Sequence, residues 1–353
     1  MGGGETSGPK EAEMSEAPVR EDAGPVDLVI IGAGPTGLFG AFYAGLRGLS
    51  VKVIDALPQP GGQLAVLYPE KFIYDVPGHP KILAKDLVRL LVEQASMFNP
   101  IFCLGERAVG LRREDALWAV ETDRGIHQAR TVLIAAGIGA FQPNRIGKPE
   151  IDQYEGRGLY YVVTERRPFR NRRLLIVGGG DTAVDWALNL KDFAAHITLI
   201  HRRDQFRAHP GSVAELMRSG VEVRLFHELK ALHPGPDGWI REAVIFDNRT
   251  GEETVIPVDA VIMSLGFKAD LGPIKSWGLE TVGNRYIKVN ARMETNLPGV
   301  YAAGDITAPE GVEPLNLIVI GFAQAATAVN YAATYINPQA KVFPGHSSEM
   351  RLR

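Results

Sequence analysis

The chain has 353 residues, 38 basic and 41 acidic, with a net charge of −3 and 45% hydrophobic content. That length suggests about two domains with ample material for a core, and the charge balance gives no overall reason to expect nucleic acid or an anionic membrane as partner. A single cysteine, Cys103, excludes an intramolecular disulfide and a dithiol mechanism, and fits a reducing, cytoplasmic setting.

Residues 1–25, rich in Gly, Glu, Pro and Ala, read as a disordered tail without the apolar stretch of a secretory signal. Met1-Gly2 with Thr6 fits the myristoylation pattern only loosely. The first ordered unit follows. Residues 27–31 are a short β-branched apolar run, a buried strand, leading into Gly32-Ala33-Gly34-Pro35-Thr36-Gly37. This GxGxxG turn opens a helix through Leu38, Phe42 and Leu46, and a second strand over 50–54 ends at Asp55. Gly32 makes the tight turn, Gly34 admits a pyrophosphate to the backbone, and Gly37 lets helix and strand pack closely. The helix N-terminus offers N–H groups to phosphate, and Asp55 can accept from a ribose hydroxyl. GxGxxG alone is a weak signal; strand, glycines, helix, strand and acid in that order are a strong one.

A long loop then carries Gly61-Gly62-Gln63, Tyr68 and Pro77-Gly78, the kind of ordered loop that usually has a function. The spacing of Leu83, Leu87, Leu90 and Leu91 predicts a helix over 82–97. Cys103 opens a strand-like run as a small buried hydrophobe. Residues 102–130 read as a β-meander with turns at 113–115 and 123–125, and 131–137 as a return strand.

The plan then repeats. Residues 173–177 lead into Gly178-Gly179-Gly180-Asp181-Thr182-Ala183, a helix through Val184, Trp186, Ala187 and Leu190, and a strand over 197–200. A second helix, a meander over 239–258 and a return strand over 260–265 complete the copy. Asp55 stands 23 positions after Gly32, and His201 stands 23 after Gly178, each near the ribose position of such a unit. The second copy continues as His201-Arg202-Arg203, with Arg207 a turn on. A carboxylate there would repel a 2′-phosphate, whereas guanidinium groups bind it bidentately, so the second site should take NADP. Residues 297–306 return to the first unit as a strand ending at Gly304-Asp305, where Asp305 can accept from sugar or ribityl hydroxyls. An Ala-rich helix from Leu317 offers its positive end to an electron-rich ring. Asn316, Gln324, Thr327, Asn330 and Thr334 make 315–336 a buried helix rather than a membrane span.

Together these pieces resemble the flavoprotein reductases with two dinucleotide folds, in particular the low-molecular-weight thioredoxin reductases, over nearly everything from Asp27 onward. Those enzymes carry a CxxC before the second glycine motif; here Tyr161-Val162-Val163-Thr164 stands there without a thiol. A closer resemblance is to ferredoxin–NADP+ reductases of the thioredoxin-reductase-like type. It rests on residues 61–64 with 67–71, 72–76, Val184-Asp185-Trp186-Ala187-Leu188, His201-Arg202-Arg203 with Phe206-Arg207-Ala208-His209, and Pro344-Gly345-His346-Ser347-Ser348.

The resemblance implies an α/β fold of two Rossmann-like, three-layer ββα domains, with the NADP domain (144–266) inserted into an FAD domain (26–143 and 267–353). It implies an oxidoreductase in which NADPH gives hydride to N5 of FAD and single electrons pass to two ferredoxins, or to flavodoxin. Tyr68 would stack on one flavin face, and His346, from the other subunit of a homodimer, on the opposite face. The FAD site would draw on Gly32, Gly34, Pro35, Thr36, Gly37, Asp55, Gly62, Gln63, Tyr68, Val109, Phe141, Asp305, Ser347 and Ser348. The NADP site would draw on Gly178, Gly180, Asp181, Thr182, Ala183, His201, Arg202, Arg203 and Arg207. No metal ligand and no general base is nominated, because the flavin carries the chemistry. Nicotinamide would reach the flavin by rotation about connections near Gln142-Pro143 and Gly266-Phe267. The run Arg166, Arg167, Arg170, Arg172, Arg173 could steer an acidic ferredoxin, although a solvated charged turn explains it nearly as well. Two rival readings stand beside this one: an NADPH-dependent quinone or small-molecule reductase or oxidase, and a non-catalytic flavin- or NADP-binding sensor.

Overall fold

A β-branched run buried on both faces belongs in the middle of a parallel sheet, and Val26–Ile31 (β1) lies there. In the computed structural model, which describes residues 24–349 apart from 68, 140, 141, 164 and 269, the main elements of the first unit follow it in order. They are Pro35–Leu46 (α1), Val51–Asp55 (β2), Ala84–Ser96 (α2), Ile101–Leu104 (β3), Ala108–Glu114 (β4), Leu117–Thr122 (β5) and Ile126–Ile134 (β6). β1 pairs in parallel with β2 and β6, and β2 with β3. α1 buries Leu38, Ala41 and Ala44 against the sheet and needs small residues there: a Cβ at Gly40 would already touch Leu133 and Ala325.

The second unit runs Leu159–Tyr160 (β7), Arg173–Val177 (β8), Asp181–Leu190 (α3), His196–His201 (β9), Pro210–Arg218 (α4), Glu222–Leu225 (β10), His227–Pro234 (β11), Ile240–Asp247 (β12), Glu253–Pro257 (β13) and Ala260–Met263 (β14). The chain then closes with Val300–Ala302 (β15) and the 19-residue helix Ile318–Ile336 (α5). The second sheet has the order β7-β14-β8-β9-β10; in the first, β6-β1-β2-β3 repeats β14-β8-β9-β10, but β15 from the far end of the chain takes the place of β7, and β5 and β4 extend the sheet.

Three sequence expectations change. β3 is not part of a meander but the parallel edge strand beside β2, with Cys103 opposite Ile54. The last meander strand and the return strand are one continuous strand, β6. Its first half pairs with β5 and its second half with β15, so the sheet exchanges neighbours without a turn. In the second unit the meander starts earlier than 239: β11, β12 and β13 form a separate antiparallel sheet.

The cores follow this division. One draws on residues between 26 and 135 and between 271 and 332; the other two lie within 146–265. The two chain crossings between them pair with each other as a short antiparallel ribbon, Phe267 opposite Pro143 and Lys268 opposite Gln142. Asn144 continues it, its N–H donating to Gly266 at 2.9 Å and its side-chain amide to Leu265 at 3.1 Å. Among the described residues no helix is long and apolar enough to cross a membrane.

Candidate functional site

The first glycine turn forms one wall of a cavity of about 530 Å³. Gly32 has φ +111°, and a Cβ there would collide with the Ala135 carbonyl; a Cβ at Gly37 would collide with the Gly32 carbonyl. Both glycines are therefore required by the protein itself. Gly34 is different. A Cβ there would meet nothing nearer than the Gly62 Cα, 3.9 Å away, so only something entering the cavity needs that space. Gly34 is also the N-cap of α1, which no side chain caps, with Pro35 in the first turn.

Asp55 lies at the end of β2, half-buried, facing this wall. Its Oδ2 accepts from the Ala33 N–H at 2.6 Å and its Oδ1 from the Leu57 N–H at 2.8 Å. Burial pushes the carboxyl above its ordinary range, against the pull of those two donors. On the opposite side, burial likewise raises Asp305, which the Gln63 side chain partly offsets by donating to it. Thr36 pins the two sides together: its side chain fills the space that a Cβ at Gly304 or Gly321 would occupy. The Gly304 N–H donates to Gln324 Oε1 at 2.7 Å, tying the Gly304-Asp305 turn to α5.

Of the residues expected around FAD, Gly32, Gly34, Pro35, Thr36, Asp55, Gly62, Gln63 and Asp305 line this cavity. Gly37 lies behind the turn. Val109 is off the cavity wall, its carbonyl accepting from Trp277 Nε1 at 3.2 Å. Tyr68 and Phe141 fall outside the described residues. Ser347 and Ser348 lie in a terminal turn, exposed, with His346 against Phe343 at 5.4 Å. That tail is moored elsewhere: Arg47, at the end of α1, donates to the carbonyls of Lys341 at 2.9 Å and Val342 at 3.3 Å. No described residue of the tail lines its own chain's cavity.

Sequence reasoning missed Glu106, Arg107 and Ala108 as wall residues because they were absorbed into the meander, and Trp277 because no motif surrounds it. Glu106 Oε1 accepts from Thr122 Oγ1 and pairs with His127 Nε2, both at 2.6 Å. Burial opposes ionisation there, but these partners prevail and hold the carboxyl below its ordinary range. With Cys103 these residues make a Cys–Glu–His group whose ligand atoms lie within 4.8 Å of one another, a grouping the sequence reading did not anticipate.

The second glycine turn repeats the first with different support. A Cβ at Gly178 would collide with the Ser264 carbonyl, Gly180 faces open space as the N-cap of α3, and Ala183 is fully buried beneath them. Asp181 Oδ1 accepts from the His209 N–H at 2.8 Å. His201 occupies the place of Asp55 but turns under the loop. Its ring fills the space beside Gly179, stacks on Phe206 at 5.2 Å, and its Nε2 donates to the Gln205 carbonyl at 3.0 Å. Burial, then the field of Arg202, Arg203 and Arg207, holds its pKa below 6.5, so the ring is neutral near pH 7. Arg202, Arg203 and Arg207 are exposed, and the Arg207 N–H donates to the Gly179 carbonyl at 2.7 Å.

The arginine run is only partly available. Arg173 is held by Asp259 through two side-chain bonds of 2.7 and 3.1 Å, and Arg166 lies 3.5 Å from Glu70. Arg170 covers the Phe193 ring at 4.6 Å; Arg167 and Arg170, like the Glu70-facing Arg166, are exposed.

The profile of the pyridine nucleotide-disulphide oxidoreductase family matches residues 26–332. A ferredoxin–NADP reductase of Thermus thermophilus is 55% identical over 328 residues, covering 92% of this chain and 96% of the relative. One of Geobacillus thermodenitrificans is 49% identical over 333 residues, covering 94% and 99%. In structure, a T. acidophilum thioredoxin reductase superimposes with a TM-score of 0.76 at 24% identity, over 90% of this chain and 99% of its own.

Proposed function

The chain belongs to the pyridine nucleotide-disulphide oxidoreductase family, and from that premise we propose that it is a ferredoxin–NADP+ reductase carrying FAD in the first cavity and NADPH on the second glycine turn. The observation that supports this most is the pair of units with unlike ribose positions. One presents a half-buried carboxylate to a large cavity; the other presents three exposed arginines beside a helix N-terminus. The room left at Gly34 suits a pyrophosphate against the α1 N-terminus, with Asp55 toward a ribose and Asp305 and Gln63 toward the ribityl chain and ring. When bound, the flavin supplies the conversion of a two-electron hydride donor into single-electron output.

The protein's own part is to bind, orient and exclude. Arg202 and Arg203, with Arg207, select the 2′-phosphate of NADPH by charge-assisted bonds. Tyr68 would cover one flavin face. His346 would cover the other, with Ser347 and Ser348 at the ring edge, and because the tail is moored on its own α1 away from its own cavity, it would reach the flavin of a second copy in a homodimer. The inserted unit of residues 144–266 turns about the ribbon at Gln142–Pro143 and Phe267–Lys268 to bring nicotinamide to the flavin. Arg167 and Arg170 add a local positive face for an acidic ferredoxin, in a cytoplasmic setting consistent with the single cysteine. Steady-state reduction of a purified ferredoxin by NADPH tests the reading. Turnover with quinone or oxygen that exceeds turnover with ferredoxin would sink it.

A further inference from the structure

Besides the ribbon, a loop of the first half meets one face of α3 and the segment of Val162 and Arg166. Thr182, Asp185 and Trp186 share a face of α3 by their spacing. Thr182 and Trp186, with Leu67, line a crevice of only about 10 Å³ between the halves. At its edge Lys71 Nζ lies 2.5 Å from Asp185 Oδ2. Glu70, held from its own side by Lys85 at 3.0 Å, reaches Arg166 of the second unit at 3.5 Å. The Asp185 side chain is 19% exposed and that of Lys71 37%, so the pair is partly withdrawn from water and screened less than a rim pair.

Leu67 and Val162 line both this crevice and the large cavity. The segment holding Val162 therefore abuts the cavity. None of the described residues lining the cavity comes from the second glycine turn. A nicotinamide held at that turn is shut out while the crevice stays closed. We propose that the Lys71–Asp185 and Glu70–Arg166 ion pairs form a latch that holds the closed, non-reducing arrangement, and that its opening gates hydride transfer. This rests on the reading of the reaction given above. The loop bearing Glu70 and Lys71 also carries Tyr68, and Asp185 lies one turn inside the helix that would hold the NADPH pyrophosphate.

The test uses the FAD-loaded protein, with Lys71→Met, Asp185→Asn and the charge swap Lys71→Asp/Asp185→Lys. Small-angle X-ray scattering reads the arrangement, and anaerobic stopped-flow bleaching of the flavin by NADPH reads its consequence. Each single variant should scatter as a more open molecule and bleach about three- to tenfold faster, the scale of one part-buried pair. The swap should return both readings toward the parent. Scattering of the single variants superimposable on the parent's overturns the latch. So does bleaching that stays unchanged or slows, or a gain the swap fails to reverse. If the variants open as expected but no protein bleaches, the parent included, the latch stands and the assigned reaction falls.

Discussion

At the first glycine turn, the residue ending the second strand is a carboxylate that accepts two backbone N–H groups; at the second it is a neutral imidazole wedged under the loop. Both brace the turn from the same position. They differ in what is left over. Asp55 braces and also presents oxygen to the cavity, so support and recognition rest on one side chain. His201 braces from within, and in the proposed function recognition falls to the exposed arginines that follow it. Coenzyme choice in the second unit is therefore separable from its folding, and in the first it is not.

The hardest blow to this comparison is a side chain at the open glycine of each turn. Gly34→Val should fold, since the space is free, yet purify without FAD, and Gly180→Val should keep its FAD while losing NADPH-driven bleaching. A Gly34→Val protein that is fully yellow by absorbance would contradict the placement. Next in size, Arg202→Ala/Arg203→Ala should cost NADPH about 1.5–3 kcal/mol relative to NADH, one to two powers of ten in the ratio of kcat/KM values. The melting temperature should barely move, because neither side chain braces the loop. An unchanged coenzyme preference would remove these arginines from the site.

A smaller effect is expected from truncation before His346. FAD should stay bound and the fold intact, while the flavin spectrum shifts, oxygen gains access and ferredoxin-linked turnover falls severalfold. A truncated protein matching the parent in spectrum and kinetics would leave the tail a mere terminus. The smallest effect concerns acid. The folded pKa of His201 lies below 6.5, so as the pH falls through 6.5 the unfolded chain takes up the proton first and the second turn loses stability. Asp55 works the other way: with its folded pKa raised above 3.8, it costs stability as the pH rises above that value, so acid does not weaken the first turn through it. Hydrogen exchange at pH 7 and pH 5.5 should show residues 178–183 losing protection relative to 32–37. Equal losses at both turns would refute the contrast.

Much of this was legible because local chemistry and tertiary role coincide. Gly32 and Gly178 each stand where a Cβ would strike a carbonyl from the neighbouring return strand, so motif and packing make the same demand. The internal repeat likewise appears as a shared order of four strands in the two sheets. What escaped was whatever depends on partners distant in sequence. β6 serves two neighbours in succession, and no local pattern marks the change at Ala129. Trp277 reaches the cavity from a segment without a motif. His201 was expected to meet the nucleotide because it shares the offset of Asp55; only the space left beside Gly179 draws it inward.

The paired crossings at Pro143 and Phe267 bear on how the chain folds. β6 and β15, which must pair to finish the first sheet, are separated by the entire inserted unit. If that unit folds first, its ends become hydrogen-bonded neighbours, and the intervening chain behaves as a tight turn. Shortening the effective loop roughly fourfold lowers the entropic cost of closing it by about 1 kcal/mol. The insertion that interrupts the first domain in sequence thus acts, once formed, as its folding template.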